Sequence, residues 1–214
     1  MSDRANFGGL AIGAPESGKT TVIRRWMHDF LVANPTGIAI VHDTQRQFGD
    51  LCASYATPDE YIEAASKAAA QRASIQRSIA ITGHESQPVA ELALALGKRH
   101  NLGKPMVRVP IMLAWDETSV LDATGSTFVG KLDWEIATTR RHLGIRTAHN
   151  LQRPGSLPRA MYEIATDVVI FRLTSDDTAR DLETKLGLTR MTLQPMIGAP
   201  KFRYAHWRSG AGLV

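Results

Sequence analysis

The stretch that most constrains the fold of this chain is GGLAIGAPESGKTTVIRRW, residues 8–26. Its short apolar run predicts a strand, and a helix-like run follows the glycine-containing turn. The turn satisfies the pattern G-x-x-x-x-G-K-[ST] in full and lies in the strand–turn–helix context that the pattern requires. Its glycines let successive backbone N–H groups point inward at a chain of phosphates, and the helix N-terminus adds partial positive charge. We therefore predict a phosphate-binding loop here.

The side chains of this loop have separate predicted roles. Lys19 is expected to reach the β- and γ-phosphates of ATP, and Thr20 is expected to bind Mg²⁺. The residues predicted to bind the nucleotide are Gly13, Ala14, Pro15, Glu16, Ser17, Gly18, Lys19, Thr20 and Thr21.

The rest of the chain alternates between short apolar runs and longer segments with helical spacing. Predicted strands cover 7–12, 37–43, 78–82, 107–117, 145–152 and 167–173, and 201–207 alternates like an edge strand. Predicted helices cover 18–33, 57–72, 87–103, 127–144 and 175–187, the third of them ending at Gly97 or Gly103. This alternation predicts an α/β fold with a mostly parallel central sheet flanked by helices.

Length and composition add few constraints. The 214 residues fit a single domain, since no linker, repeat or low-complexity segment divides them. No apolar run approaches the ~20 residues of a membrane span, and the N-terminus lacks the apolar core of a signal peptide. We therefore expect a soluble protein without a transmembrane segment. A net charge of +4 favours a polyanionic partner only weakly.

An acidic pair, Asp116-Glu117, ends the most hydrophobic run of the chain. A buried strand would deliver Asp116 beside the phosphate loop, where a carboxylate can support Mg²⁺. Glu117 would then be placed to orient and polarise an attacking water molecule. The pair favours hydrolysis of ATP over transfer of a phosphoryl group to a small acceptor. Asp43 also closes a predicted strand, and we interpret it either as structural or as a support for the residues that contact the nucleotide.

The segment RRHLGIRTAHNLQRPGSLPRAMYEIATDVVIFRLTSDDTARDLE, residues 140–183, resembles the FtsK/HerA superfamily of DNA-pumping ATPases. The shared landmarks are Arg141, Gly144-Ile145, Gln152-Arg153-Pro154, Phe171-Arg172, and Ser175 followed by acids. With the two motifs upstream, the resemblance covers most of residues 7–187. Within the superfamily the chain is most similar to genome-packaging ATPases of membrane-containing icosahedral viruses.

The resemblance implies a RecA-like P-loop NTPase that hydrolyses ATP with Mg²⁺. It implies that Gln152 senses the γ-phosphate and that Arg141 is an arginine finger acting on a neighbouring subunit's nucleotide. Arg140 is a rival for that role, and Arg172 is either a second contact of this kind or a salt-bridge partner. A finger that acts in trans requires a ring of identical subunits, and a hexamer is expected.

The same resemblance implies the partners and the setting. We expect the ring to drive double-stranded DNA into a preformed capsid, docked on capsid or portal-vertex proteins, in the host cytoplasm or the virion. Lys98, Arg99, His100 and Lys104 form a Gly-flanked basic segment, predicted either as a DNA-gripping loop or as a basic helix end.

Two departures from the family leave roles open. His149 and Asn150 stand where apolar residues are expected, and they are either satisfied core groups or part of the active site. Residues 188–214 form a C-terminal strand and tail that match nothing in the family.

Other functions remain as alternatives. A conjugation or filamentous-phage assembly ATPase would use the same motifs, with a membrane segment or membrane-anchoring partner. A small-molecule kinase would need an acceptor pocket and an arginine-bearing lid. A non-catalytic nucleotide-binding subunit of a virion would not need Lys19, Thr20, Asp116 and Glu117 together.

Overall fold

The computed structural model describes residues 7–117, 131–154, 157, 159–209 and 211–213. The strands in this part of the chain are β1 (Gly8–Ile12), β2 (Ile38–His42), β3 (Ala53–Tyr55), β4 (Ser78–Ile81), β5 (Ile111–Trp115), β6 (Ile145–Leu151), β7 (Asp167–Phe171), β8 (Tyr204–Arg208) and β9 (Gly212–Leu213). The helices are α1 (Lys19–Ala33), α2 (Pro58–Ala70), α3 (Gln87–Asn101), α4 (Lys131–Leu143), α5 (Arg159–Glu163), α6 (Asp176–Leu186) and α7 (Arg190–Leu193), and a 3₁₀ turn covers Gln194–Met196.

The strands form one sheet in the order β3-β4-β2-β5-β6-β1-β7-β8-β9. The seven strands β1 to β7 are mutually parallel, whereas β8 is antiparallel to β7 and β9 is antiparallel to β8. The carboxyl ends of the parallel strands therefore share one edge of the sheet. The first residue of β8, Tyr204, pairs with Phe171 at the end of β7 and lies at that edge too.

Helices cover both faces of the sheet, which explains why the central strands β1, β5, β6 and β7 are buried along their whole length. One face packs against α1 through residues such as Ala11, Val41 and Ala148, together with Trp26 and Phe30 of the helix. The opposite face packs in two clusters. One cluster contains residues of α2, α3 and α4, and the other contains residues of α5, α6 and α7.

The α/β fold predicted from the sequence is confirmed, and three details differ. Helix α3 continues past Gly97 to Asn101, because this buried glycine permits close packing: a Cβ there would lie 3.1 Å from Leu143 Cβ. Of the two predicted ends, Gly97 is therefore wrong, and the helix instead ends just before Gly103. The predicted edge strand is β8, but β9 pairs with its outer side. The short elements β3, α5, α7 and β9 were not predicted.

Two predicted helices have the ends that their sequences indicate. Thr57 caps α2 by accepting a hydrogen bond from the Glu60 N–H, and Ser175 caps α6 by accepting from the Thr178 N–H. Gly187 follows α6 with a φ of 66°, the left-handed conformation that glycine adopts readily, and the helix ends there. The part of helix 127–144 before Lys131 lies outside the described residues. Among the described residues, no helix is both long and apolar enough to cross a bilayer.

Candidate active site

The phosphate loop lies between the end of β1 and the start of α1, at the carboxyl edge of the sheet. Its first residues are tied to both neighbouring strands, because Gly13 N donates to Leu151 O at 3.0 Å and Ala14 N donates to Arg172 O at 2.9 Å. Gly13 has a φ of 153°, and a Cβ there would lie 2.7 Å from Phe171 Cβ. Glycine is thus required by both backbone conformation and space. Gly18, with a φ of 105°, forms the N-cap of α1.

Lys19 points into the loop rather than into solvent. It is 5% exposed, and its Nζ donates to Ala14 O at 2.6 Å. Burial lowers the pKa of Lys19, while the nearby carboxylates of Glu117 and Asp116 act in the opposite direction. A cation in a cradle of backbone amides is the electrostatic arrangement that binds a polyphosphate.

Three polar side chains meet beside Lys19. Thr20 Oγ1 donates to Asp116 Oδ1 at 2.9 Å, and Asn150 Nδ2 lies 3.3 Å from Asp116 Oδ1 and 3.4 Å from Thr20 Oγ1. Asp116 is 3% exposed, and burial raises its pKa despite the hydrogen bonds from Thr20 and Asn150. The three residues come from α1, the end of β5 and β6, and strand order alone brings them together.

This cluster fits a hard divalent cation. It offers a hydroxyl and a carboxylate, which are ligand types that Mg²⁺ prefers. Asn150 turns its Nδ2 toward both of them, so it acts as a donor that orients Asp116 rather than as a metal ligand. Its Oδ1 is buried and makes no hydrogen bond to any residue that the structure describes. Asn150 thus lies beside the candidate active site.

Glu117 is held between two amide side chains. Gln45 Nε2 donates to Glu117 Oε2 at 2.7 Å, and Gln152 Nε2 donates to Glu117 Oε1. Gln47 Nε2 in turn donates to Gln45 Oε1 at 2.8 Å. Since β2 neighbours β5, the segment after β2 reaches the acid that follows β5. Sequence reasoning missed Gln45, and the available signal was its position just after a predicted buried strand.

Asp43 shapes the turn that carries Gln45. This residue is fully buried, and its carboxylate accepts the N–H groups of Gln47 at 2.8 Å and Phe48 at 2.9 Å. The geometry agrees with the structural role expected for Asp43.

The two adjacent arginines at the end of α4 have different environments. Arg140 is 4% exposed and donates to Ile164 O at 2.6 Å and to Phe7 O at 3.4 Å. Burial lowers the pKa of Arg140 to about 10. Arg141 is exposed on the same turn. Since α4 leads into the start of β6, Arg141 lies toward the edge of the sheet opposite the phosphate loop.

Arg172 lies beside the loop of its own chain. Its carbonyl accepts the Ala14 N–H, and its charge helps to lower the pKa of Glu16, although Lys201 is the main cause of that shift. This position makes Arg172 a neighbour of its own nucleotide site.

His149 belongs to the core. It is 1% exposed, and its ring stacks on Trp115 with centroids 4.3 Å apart and an interplanar angle of 8°. Burial, with a smaller effect of Arg140, lowers its pKa to about 3, so the ring is neutral at pH 7. His149 thus packs behind Asn150 as an uncharged aromatic group.

The basic segment near residue 100 does not form the predicted loop. Lys98, Arg99 and His100 lie in the last turn of α3, and only Lys104 follows the helix. Lys98 Nζ forms an ion pair with Glu135 at 2.9 Å. The alternative prediction of a basic helix end describes this segment. It lies at the amino edge of the sheet, opposite the phosphate loop.

Solved structures share this architecture. The genome packaging NTPase B204 from Sulfolobus turreted icosahedral virus 2, solved in complex with ATP-gammaS, superposes with a TM-score of 0.72 over 98% of this chain and 95% of that chain, at 12% identity. The two chains share one fold. The RecA-like P-loop NTPase fold that the resemblance implied is therefore confirmed.

Larger ATPases contain the same fold as a part. The pCW3 conjugation coupling protein TcpA matches 98% of this chain with 59% of its own length, at 16% identity and a TM-score of 0.63. The type VII secretion ATPase EccC of Thermomonospora curvata matches 97% of this chain with 24% of its own length, at 17% identity and a TM-score of 0.59. No protein-family model and no curated protein sequence matches the chain.

Proposed function

We propose that this chain is a Mg²⁺-dependent ATPase that moves DNA, and that its task is to package double-stranded viral DNA into a preformed capsid. The observation that carries the hydrolysis part of the proposal is the Thr20–Asp116 hydrogen bond, with Glu117 next in the chain, and the DNA part rests on the fold shared with the genome packaging NTPase B204. The hydrogen bond joins the phosphate loop to the end of β5, where the next residue, Glu117, is positioned to activate a water molecule. Such a site hydrolyses a nucleotide rather than only holding it.

The residues divide the work of hydrolysis among themselves. Lys19 and the backbone amides of residues 13–20 bind the triphosphate, and Thr20 and Asp116, supported by Asn150, hold the metal. Mg²⁺, when bound, supplies positive charge against the phosphate oxygens. Glu117 orients the attacking water and accepts its proton. Gln152 donates a hydrogen bond to Glu117. It senses the γ-phosphate by giving up this bond and donating to a phosphate oxygen instead.

The position of Arg141 supports assembly into a ring. Its exposed guanidinium is at the edge of the sheet opposite its own phosphate loop, and therefore serves a neighbour's nucleotide. There it stabilises the charge that develops on the transferred phosphoryl group. We propose a homo-oligomeric ring, a hexamer, that docks on capsid or portal-vertex proteins in the host cytoplasm or the virion.

The proposal is tested by measuring ATP turnover with and without linear double-stranded DNA, alongside the assembly mass in a non-hydrolysable ATP analogue. Turnover that DNA stimulates, by a species of ring mass, is the expected result. A K19A variant serves as the inactive control. Hydrolysis that DNA leaves unchanged would overturn the DNA motor, and ADP release only in the presence of a small acceptor would indicate a kinase.

A further inference from the structure

The segment just before β8 packs against the side of the phosphate loop that faces away from Asp116. Lys201 Nζ forms an ion pair with Glu16 Oε2 at 2.8 Å. The Phe202 ring lies against Gly18: a Cβ built on Gly18 would be 3.2 Å from Phe202 Cδ1. The C-terminal region, which the sequence left without a role, therefore contributes a wall to the candidate nucleotide site.

Core packing does not explain this placement of Phe202. The residue is 67% exposed, although it touches the loop, and its φ of 66° is in the left-handed region that non-glycine residues rarely adopt. Backbone strain of this kind is found where the surrounding structure holds a residue in place at a functional site. Tyr204, 59% exposed, continues the aromatic surface, and its ring centroid lies 5.8 Å from that of Phe171.

The sheet order fixes the direction in which a bound nucleotide runs. Asp116 and Asn150 belong to β5 and β6 and lie on one side of β1, whereas β7 and β8 lie on the other side. The metal and the γ-phosphate of a bound nucleotide would lie beside Asp116. The ribose and the base are at the opposite end of the molecule, so they leave the loop toward β8, where Phe202 is exposed.

We propose that Phe202 is the stacking surface for the nucleobase, with the Lys201–Glu16 ion pair fixing its segment to the loop. The inference rests on the proposed binding of ATP and adds the residue that recognises the base. A flat aromatic ring offers a base a π-face, and stacking of this kind contributes about tenfold or more to affinity.

The test compares ATPγS with inorganic tripolyphosphate, which has the phosphates but no base. Dissociation constants for both compounds are measured by calorimetry with Mg²⁺ on wild type, F202A, F202L and M191A. Met191 is 87% exposed on α7, which packs against α6 and the 3₁₀ turn, so M191A is the matched control. F202L keeps apolar bulk without a π-face. Thermal unfolding and assembly mass are recorded for each variant.

We expect F202A and F202L to bind ATPγS about tenfold more weakly than wild type, with tripolyphosphate affinity unchanged and M191A equal to wild type. Equal ATPγS affinity in wild type and F202L would overturn the stacking role. Equal losses for both compounds would show that the ring only supports the loop. Loss of assembly without loss of affinity would assign Phe202 to a subunit contact. If wild type bound neither compound, the phosphate site itself would be refuted.

Discussion

Gln45 Nε2 and Glu117 Oε2 are joined by a hydrogen bond of 2.7 Å across a separation of 72 residues in the chain. The bond crosses between the ends of two neighbouring strands, β2 and β5. With Gln152 on the other oxygen, it leaves the carboxylate little rotational freedom. A general base works only when its oxygen is held within reach of the proton that it accepts.

Glu117 itself should be needed for chemistry and not for binding. We expect E117Q to bind ATPγS with wild-type affinity but to lose at least about a hundredfold in kcat, because an amide cannot accept the proton of the attacking water. Steady-state phosphate release and calorimetry measure the two quantities. Substantial turnover by E117Q would assign the water-activating role to another residue.

Gln45 should affect the rate by positioning Glu117. We expect Q45A to lower kcat about ten- to a hundredfold with little change in KM, because a misplaced base loses catalytic geometry while substrate binding is preserved. Q76A removes a solvent-exposed glutamine of the same size and is the control. A large change in KM without a change in kcat would place Gln45 in nucleotide binding instead.

Asn150 should affect the concentration of Mg²⁺ that nucleotide binding requires. We expect N150A to raise the Mg²⁺ concentration needed for half-maximal ATPγS binding about ten- to a hundredfold, since groups that orient metal ligands have effects of this size. Q76A, at an exposed position with no role in the site, is the control and should keep the wild-type Mg²⁺ curve. An unchanged curve for N150A, with an unchanged melting temperature, would make Asn150 a simple packing residue.

Arg140 and Arg141 should behave oppositely when each is replaced by alanine. R141A should fold normally and lose turnover when it is assayed alone. Mixing it with E117Q in equal amounts should restore part of the ATPase activity that each variant lacks, because the intact site of an R141A subunit then meets Arg141 of an E117Q neighbour. No recovery of activity in the mixture would contradict a trans role.

R140A should act on stability. Removal of its guanidinium leaves the carbonyl of Ile164 without this donor, and a buried unpaired polar group costs about 1–3 kcal/mol. The carbonyl of Phe7 keeps the N–H of Thr147 as a donor. For a chain of this size, 1 kcal/mol corresponds to a melting temperature lower by roughly 2–4 °C. An unchanged melting temperature in R140A would show that these contacts contribute nothing to folding.

The local sequence pattern was sufficient to predict some parts of this site. The phosphate loop and the Asp116-Glu117 pair are contiguous in sequence and follow apolar runs, so they could be placed on strand ends without knowledge of strand order. The alternation of strands and helices likewise predicted the α/β fold. The role of Glu117 stays a prediction that E117Q tests, and the roles of Asp116 and Gln152 stay predictions as well.

Other parts depended on facts that a single sequence does not carry. Gln45 and Asn150 are site residues only because β2 lies beside β5 and β6 lies between β5 and β1. Arg140 and Arg141 are adjacent, so which of them is exposed depends on how α4 is rotated about its axis. The sequence alone does not give that rotation. Gly97 was interpreted as a possible helix end, but its lack of a side chain serves the contact with Leu143.

The anchoring of Gly13 and Ala14 to Leu151 O and Arg172 O has a thermodynamic consequence. The loop holds together the ends of three adjacent strands that come from distant parts of the chain. A ligand that fills the loop therefore stabilises the closure of the whole sheet, and at a hundred times its dissociation constant it adds about 2.7 kcal/mol to the free energy of unfolding. A nucleotide that binds as proposed would therefore stabilise the folded chain in addition to supplying the reaction.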